Sequence, residues 1–319
     1  MWRYIVKRLL YLIPVIIGVS FVIYVLMDIA PGDIVLLKIG EDANLTEEQI
    51  AEMYHAYGLD QPLVVRYLKY MAGLLRGDLG ISQNTGEPVL DMFMQRIPNT
   101  LRLAIASVIV SIVISIPLGI VSAIHNGSLV DNAASFGTLL GLSIPNFWLG
   151  LVLIICFALK LHMLPSGGDD GSIKSLILPA ITIGTSLTAA LGRTTRSSML
   201  DVIRQDYLRT IRAKGASERR VIWGHALKNA MIPILTIAGT QFAGVLGGSA
   251  LTETVFAWPG TGRLLIDSIN GRDVPVVTGI LVLKTAISSV IILIVDLLYA
   301  AVDPRIRAQY AKKGRKKRK

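Results

Sequence analysis

The chain has 319 residues, of which 52% are hydrophobic and only 17% are charged, and its mean hydropathy is +0.58. Soluble domains usually carry about 25% charged residues, so this composition excludes an ordinary soluble protein and favours a membrane protein. The net charge of +10 does not indicate a nucleic-acid partner, because the basic residues lie between apolar stretches, where they set membrane topology.

Six apolar stretches are long enough to cross a hydrocarbon core of about 30 Å. The first follows Arg3, Lys7 and Arg8 and is too long for the apolar core of a signal peptide, so residues 1–30 are predicted to form a permanent anchor. The other predicted spans cover residues 101–124, 133–160, 175–192, 230–250 and 274–302. The predicted fold is therefore an all-α polytopic membrane protein with about six transmembrane helices.

A polar segment, 31–98, separates the first span from a predicted core of five helices, 99–302. This segment contains ten acidic and five basic residues, and a helix is expected to begin at Thr46, because Glu47 and Glu48 favour a first turn. We predict that residues 31–98 form an extracytoplasmic domain.

The distribution of charge predicts the orientation. With the N-terminus inside, the inner segments 1–8, 125–132, 193–229 and 303–319 carry 21 basic and five acidic residues. The outer segments then carry eight basic and fifteen acidic residues. Because short cytoplasmic segments are enriched in Lys and Arg, both termini are predicted to be cytoplasmic, with 303–319 as a basic tail.

The inner segment 193–229 is too long for a simple turn. Gly215 stands where glycine commonly ends a helix, and Ser217 followed by Glu218 favours the start of another. The predicted shape is a helix, a sharp bend and a second helix. Its apolar face is expected to seat in a groove of a partner protein or to lie on anionic lipid, and the residues alone leave both readings open. That face is formed by Leu208, Ile211, Val221 and Ile222.

Residues 206–233 read DYLRTIRAKGASERRVIWGHALKNAMIP, which resembles the cytoplasmic loop of binding-protein-dependent ABC permeases. Gly215 and Leu227 match the glycine and leucine of that loop. Arg209 stands where the family pattern begins its EAA triplet, and this departure resembles the peptide and nickel branch. Further motifs extend the resemblance over almost the whole chain, namely YGLDQPL at 57–63, GDLGIS at 77–82, SIPNFWLG at 143–150, LPSGG at 164–168, ETVFAWPGTGRLL at 253–265 and DPR at 303–305.

The resemblance implies a type I ABC importer (MetI-like) permease fold with an extracytoplasmic insertion after helix 1. It also implies the function of a dipeptide or oligopeptide importer permease in a bacterial or archaeal inner membrane. The implied partners are a homologous second permease, two ATPase subunits that bind ATP and Mg²⁺, and an extracytoplasmic solute-binding protein, so no cofactor is expected in this chain. Nickel, glutathione and oligosaccharides are the alternative substrates.

In that family the cytoplasmic elbow is the coupling helix, which transmits ATPase closure to the membrane gate. The implied coupling residues are Asp206, Tyr207, Arg209, Ala213, Lys214, Gly215, Arg219, Arg220 and Leu227.

Other function classes find less support in the residues. No catalytic triad, metal-ligand cluster or GxxxxGK[ST] phosphate loop is present in the sequence, so an enzyme is not indicated. A secondary transporter would need an intramembrane ion site, for which Lys284 and Asp296 are candidates that make a poor relay on one helix. Polar residues in apolar spans are pathway candidates, although helix-to-helix hydrogen bonding is the better explanation of each; they are Asn146, Thr240, Gln241, Ser288 and Ser289.

Overall fold

The computed structural model describes residues 2–41 and 46–302, so the predicted basic tail 303–319 lies outside the described residues. Within them, the chain forms α-helices joined by turns and loops. These are α1 (Trp2–Ile29), α2 (Ile34–Glu41), α3 (Glu47–Ala56), α4 (Leu63–Leu74), α5 (Val89–Ile124), α6 (Leu129–Ser143), α7 (Asn146–Leu153), α8 (Ile173–Ile203), α9 (Asp206–Ala213), α10 (Leu227–Gly248), α11 (Ala250–Val255), α12 (Thr261–Asn270) and α13 (Val274–Val302). A π-helical segment, Ile154–Lys160, continues α7, and another, Arg220–Ala226, leads into α10.

Five helical segments of the described residues are long and apolar enough to cross a membrane, which agrees with five of the six predicted spans. They are Tyr4–Gly40, Val89–Ile124, Ile173–Ile203, Arg220–Gly248 and Val274–Leu297. The remaining predicted span, 133–160, is the third in chain order. It consists of two helical segments, Leu129–Gly141 and Asn146–Lys160, which meet at 95°. The break occurs because Pro145 keeps Ile144 extended, at φ −82° and ψ 123°.

The bundle is built around α8. Of its most apolar 18-residue window, 61% is buried, against 11% for the first span. Helices α5 and α8 form the most extensive pair, and α5 buries Ser107, Ser111 and Ser115 at every fourth position. Such small side chains allow helices to approach closely within a membrane. At the periphery, α1 packs on α13, where the Tyr4 hydroxyl donates to Asp296 at 2.6 Å.

The insertion that follows α1 contains α2, α3 and α4. Thr46 caps α3, because its hydroxyl accepts from the Gln49 N–H at 3.3 Å while Gln49 Oε1 accepts from the Thr46 N–H at 2.9 Å. The predicted helix start is therefore confirmed. Helix α5 begins at Val89, so the last residues of the predicted segment 31–98 already belong to the second spanning helix.

Candidate functional site

The elbow, residues 206–229, consists of α9, the bend that follows it and the chain up to the start of α10. At its tip the N–H of Gly215 donates to the carbonyl of Arg212 at 2.9 Å, and the N–H of Ala216 donates to that of Ile211 at 3.4 Å. This is the Schellman arrangement, which needs a residue with positive φ, and Gly215 has φ +83°. The next helical turn begins directly after Ser217. The predicted helix, bend and helix are confirmed.

The apolar back of the elbow packs against the bundle of the same chain. Leu208 and Val221 are fully buried, and Ile222 is 6% exposed. They share a core with Met199 and Val202 of α8 and with residues of α5 and α10. The expectation that this face seats in a partner's groove or lies on lipid was therefore wrong, because the bundle has already removed it from solvent.

The front of the elbow is exposed and mostly basic. The side chains of Arg209 and Asp206 are 83% and 97% exposed. Across the bend, Nε of Arg212 lies 2.7 Å from Oε1 of Glu218. This hydrogen-bonded ion pair lowers the pKa of the Glu218 carboxyl, so the pair is charged at neutral pH. The other exposed coupling candidates are Ala213, Lys214, Gly215, Arg219 and Arg220.

Two coupling candidates lie behind this front. The Tyr207 hydroxyl accepts from Nδ2 of Asn229 at 2.6 Å, which joins α9 to α10. Leu227 is half-buried and packs against the same core as Leu208. These two positions hold the shape of the elbow, whereas the seven exposed ones form its surface.

An ion pair that the sequence analysis did not identify fixes α8 two turns before that helix ends. Arg196 donates from Nε and from Nη2 to Asp131, each at 2.7 Å, and the Asp131 side chain is 5% exposed. Asp131 also accepts from the Ser122 hydroxyl and from the Gly127 N–H at 2.9 Å. The saturated carboxylate ties α8 to the turn between α5 and α6. Its only sequence signal was an acid in a segment without Lys or Arg, 125–132.

The five pathway candidates are spread over α7, α10 and α13. Gln241 donates from Nε2 to a backbone carbonyl of α8 at 2.8 Å, and Ser288 donates to a carbonyl of α10 at 3.4 Å. Thr240 bonds to its own helix at 2.9 Å. Asn146 begins α7, and Ser289 is half-buried in α13. Within this chain, Gln241 and Ser288 therefore connect neighbouring helices.

A buried carboxylate organises the end of the bundle opposite the elbow, here called the cap, which comprises residues 249–265. Glu253 is fully buried. Its oxygens accept from the hydroxyls of Thr100 at 3.1 Å and Ser249 at 2.7 Å. They also accept from the N–H groups of Gly262 at 2.7 Å and Arg263 at 3.0 Å. These N–H groups belong to the first turn of α12, where a negative charge is favourable.

Other motifs of the sequence meet at the same cap. Trp258 is fully buried, and its indole Nε1 donates to the carbonyl of Asn99 at 3.0 Å. The N–H of Gly168, from LPSGG, donates to the carbonyl of Phe256 at 2.8 Å. Helix α7, which carries most of SIPNFWLG, packs on α11. Segments that lie far apart in sequence therefore form one structural unit.

The two charges of α13 do not form an ion relay among the described residues. Lys284 is 4% exposed, its Nζ has no hydrogen-bond partner within the described part of the chain, and the acid whose charge acts on it is Glu253. Asp296 instead faces α1, where Arg8 Nη2 lies 3.6 Å from its carboxylate. In the described ranges no cluster of three or more His, Cys, Asp or Glu side chains could hold a metal ion.

Comparison with known proteins identifies two matching family models. Residues 115–308 match the model described as binding-protein-dependent transport system inner membrane component, and residues 1–104 match the N-terminal model of the same systems. Oligopeptide transport system permease protein AppB of Bacillus subtilis (strain 168) is 42% identical over 316 residues, which cover 96% of this chain and 99% of that protein.

Dipeptide transport system permease protein DppB of Escherichia coli (strain K12) is 39% identical over 337 aligned positions, covering 96% of this chain and 99% of that protein. Among solved structures, a chain of the MetNI methionine ABC transporter in an inward-facing conformation has a TM-score of 0.56 and 21% identity. The match covers 67% of this chain and 97% of the transporter chain. At that identity the structural similarity concerns the fold alone.

Proposed function

Since the chain belongs to the family of binding-protein-dependent transport system inner membrane components, we propose that it is the permease subunit of an ATP-driven ABC importer of peptides. Permeases that resemble it over nearly their whole length serve oligopeptides and dipeptides. It is a multi-pass membrane protein and not an enzyme. In the proposal ATP and Mg²⁺ are bound by two partner ATPase subunits, and both termini are cytoplasmic.

The elbow is the observation that carries the coupling part of the proposal. Its apolar back is packed internally, so α9 and the start of α10 move with the bundle, and its exposed basic front is left for a partner. A push on α9 passes directly into α8, because only Arg204 and Gln205 separate the two helices and leave no flexible linker. Arg196 then passes the displacement to the turn between α5 and α6 through Asp131.

In the proposed mechanism a binding protein delivers the peptide to the outer face, and the translocation pathway forms between this chain and a homologous second permease. Closure of the ATPases pushes the elbow, and the rigid bundle rocks between two orientations. The pathway candidates stay proposals; Thr240, exposed on α10, and Ser289, half-buried on α13, are the ones whose hydroxyls could turn to a cavity between two subunits.

The test uses Gly215→Val in the complete importer, co-expressed with its partner subunits. A β-branched residue at φ +83° is strained, although the space around Gly215 is open, since no other heavy atom lies within 4 Å of an added Cβ. We expect normal membrane abundance, with loss of ATPase co-purification and of labelled-dipeptide uptake. Gly215→Asn should retain both, because asparagine tolerates positive φ.

Gly86→Val is the matched control, because Gly86 also has positive φ (+75°) and open space but lies in the insertion. It should retain ATPase. If wild-type protein in mild detergent co-purifies with no ATPase, the importer proposal is wrong. Full uptake and ATPase retention by Gly215→Val would contradict only the role assigned to the bend.

A further inference from the structure

Helix α4 of the insertion exposes one aliphatic face and turns Arg66, Tyr67 and Tyr70 inward, while Lys69 is exposed. Val64, Leu68 and the adjoining Leu75 are 59%, 60% and 85% exposed. By contrast Tyr67 is 8% exposed, and Arg66 and Tyr70 face inward beside it. At 100° per residue, the exposed residues fall on one face, with Val65 and Ala72.

This arrangement is the opposite of that expected for a helix that faces water. A helix on the surface of a soluble domain turns its apolar stripe to the core and its polar residues to solvent. Helix α4 contains no acidic residue, and its two bases are already engaged. Arg66 forms an ion pair with Asp28 at 2.9 Å, and Lys69 donates to Gln61 at 2.7 Å. An apolar surrounding explains the exposed face.

The contacts of α4 place it at membrane depth. The Tyr67 hydroxyl donates to the carbonyl of Ile17 at 2.9 Å and lies 3.1 Å from the Ser20 hydroxyl, both on α1. Its ring also packs edge-on against Phe21, with centroids 5.3 Å apart. Ile17, Ser20 and Phe21 all belong to the first membrane span.

The depth follows from the helical rise. Asp28 marks the polar end of α1, and Ser20 precedes it by two turns, about 12 Å along the axis at about 1.5 Å per residue. Half of a hydrocarbon core is about 15 Å. The side chains of α4 that contact Ser20 therefore reach the level of acyl chains. Arg66, with its longer side chain, extends back toward Asp28 and the headgroups.

We propose that α4 lies in the membrane interface beside α1, with Val64, Leu68 and Leu75 in contact with the acyl chains of the adjoining leaflet. The occupant of the exposed face is thus the lipid bilayer, and the insertion is partly a membrane-bound element. This inference goes beyond the transport function, because it would hold whether or not the chain binds an ATPase. A second permease or a solute-binding protein on the same face is the competing outcome.

The experiment compares nitroxide labels in the assembled protein reconstituted into liposomes. Cys156 is the single cysteine, so Cys156→Ser supplies the background for Leu68→Cys and for Glu48→Cys, an exposed position of α3. Oxygen concentrates in acyl chains and a nickel chelate stays in water. The ratio of oxygen to chelate collision rates should be several-fold higher at position 68 than at position 48.

Two other outcomes would overturn the proposal. Frequent collision with the chelate at position 68 would mean that α4 faces water. An immobilised label that neither reagent reaches would mean that a protein covers the face. Val64→Cys is the second variant if Leu68→Cys assembles poorly, because it lies on the same face one turn earlier. Neither readout depends on transport or on ATPase binding, so the proposal about α4 can fail or succeed independently of the proposed function.

Discussion

The elbow and the cap use polar residues in opposite ways. At the elbow Leu208, Val221 and Ile222 are buried, and charged groups such as Arg209 are left in solvent. At the cap a carboxylate, Glu253, is fully buried, and four hydrogen bonds from the same chain saturate it. Charges that the chain leaves exposed are available to a partner, whereas charges that it saturates internally serve its own architecture.

The glycines of the two regions show the same contrast. Gly215 is surrounded by open space and is required for its positive φ, whereas an added Cβ at Gly262 would lie 2.6 Å from the Cα of Ala250 and 2.9 Å from Oε2 of Glu253. One glycine shapes a surface loop, and the other allows two segments to touch. Both belong to sequence motifs, yet substitution should damage different properties of the protein.

The largest effect is expected from Glu253→Ala. It removes the acceptor for two backbone N–H groups of α12 and the countercharge near the buried Lys284. The expected loss is about 3 to 5 kcal/mol of unfolding free energy, as for breaking other buried charge networks. The loss is followed as the fall in the thermal midpoint, which is measured by heating in detergent and size-exclusion chromatography of the remaining folded protein.

Glu253→Gln separates hydrogen bonding from shape. An amide oxygen still accepts from the α12 N–H groups while its NH₂ donates to the hydroxyl oxygens, so the loss should fall to about 1 to 2 kcal/mol. Equal stability of Glu253→Ala and wild type would show that the cap is not an internal scaffold, and the comparison of the two regions would fail.

Gly262→Ala is expected to have the next largest effect. Its new methyl group overlaps backbone atoms of α11, which cannot move aside cheaply, so overpacking should cost about 1 to 3 kcal/mol. Gly215→Ala should cost about 1 kcal/mol through its positive φ, and only locally. Yield and thermal midpoint should therefore fall more for Gly262→Ala, while ATPase co-purification should respond more to Gly215→Ala. The reverse ranking would contradict the distinction between space and φ.

A smaller effect on stability is expected for charge reversal on the elbow surface. Arg219→Glu changes an exposed residue and should alter the unfolding free energy by no more than about 0.5 kcal/mol. Association with the ATPase subunits should weaken several-fold at low salt, and the difference from wild type should shrink at high salt, because screening reduces the effect of the reversed charge. Arg76→Glu, an exposed reversal in the insertion, is the matched control. Equal loss of ATPase in both variants would show that the elbow has no special role in binding the ATPase subunits.

The smallest effect is expected for the ion pair across the bend. The pKa of Glu218 is lowered by its hydrogen bond to Arg212, so the pair stabilises the fold above the unfolded carboxyl pKa and loses that contribution as pH falls through the folded one. Glu218→Gln should lower the unfolding free energy at pH 7 by under about 0.5 kcal/mol, since the pair is largely exposed; the shift of the thermal midpoint measures it. The difference should shrink as pH falls below the unfolded carboxyl pKa and vanish once pH lies below the lowered pKa of the folded protein. A difference that persists there would exclude the ion pair as its cause.

Local signals predicted most of what was confirmed. The length of each apolar stretch identified five spans, and the glycine after Lys214 identified the bend. Local reasoning did not decide whether the third predicted span, 133–160, is one broken span or a re-entrant loop, because the apolar run continues through Pro145 while the backbone bends by 95° there. It was wrong about the apolar face of α9, since amphipathicity shows that a face must be covered but not by what.

The sequence by itself therefore determined the elements, namely the membrane-crossing helices, the capped start of α3 at Thr46 and the Schellman turn at Gly215. Only the tertiary structure decided which charges are paired. Thr100 and Glu253 are 153 residues apart, and Asp131 and Arg196 are 65 apart. Helix length and capping depend on neighbours within a few residues. A buried carboxylate, by contrast, is stable only where packing brings donors from distant segments to it, and that arrangement arises only when all the helices have assembled.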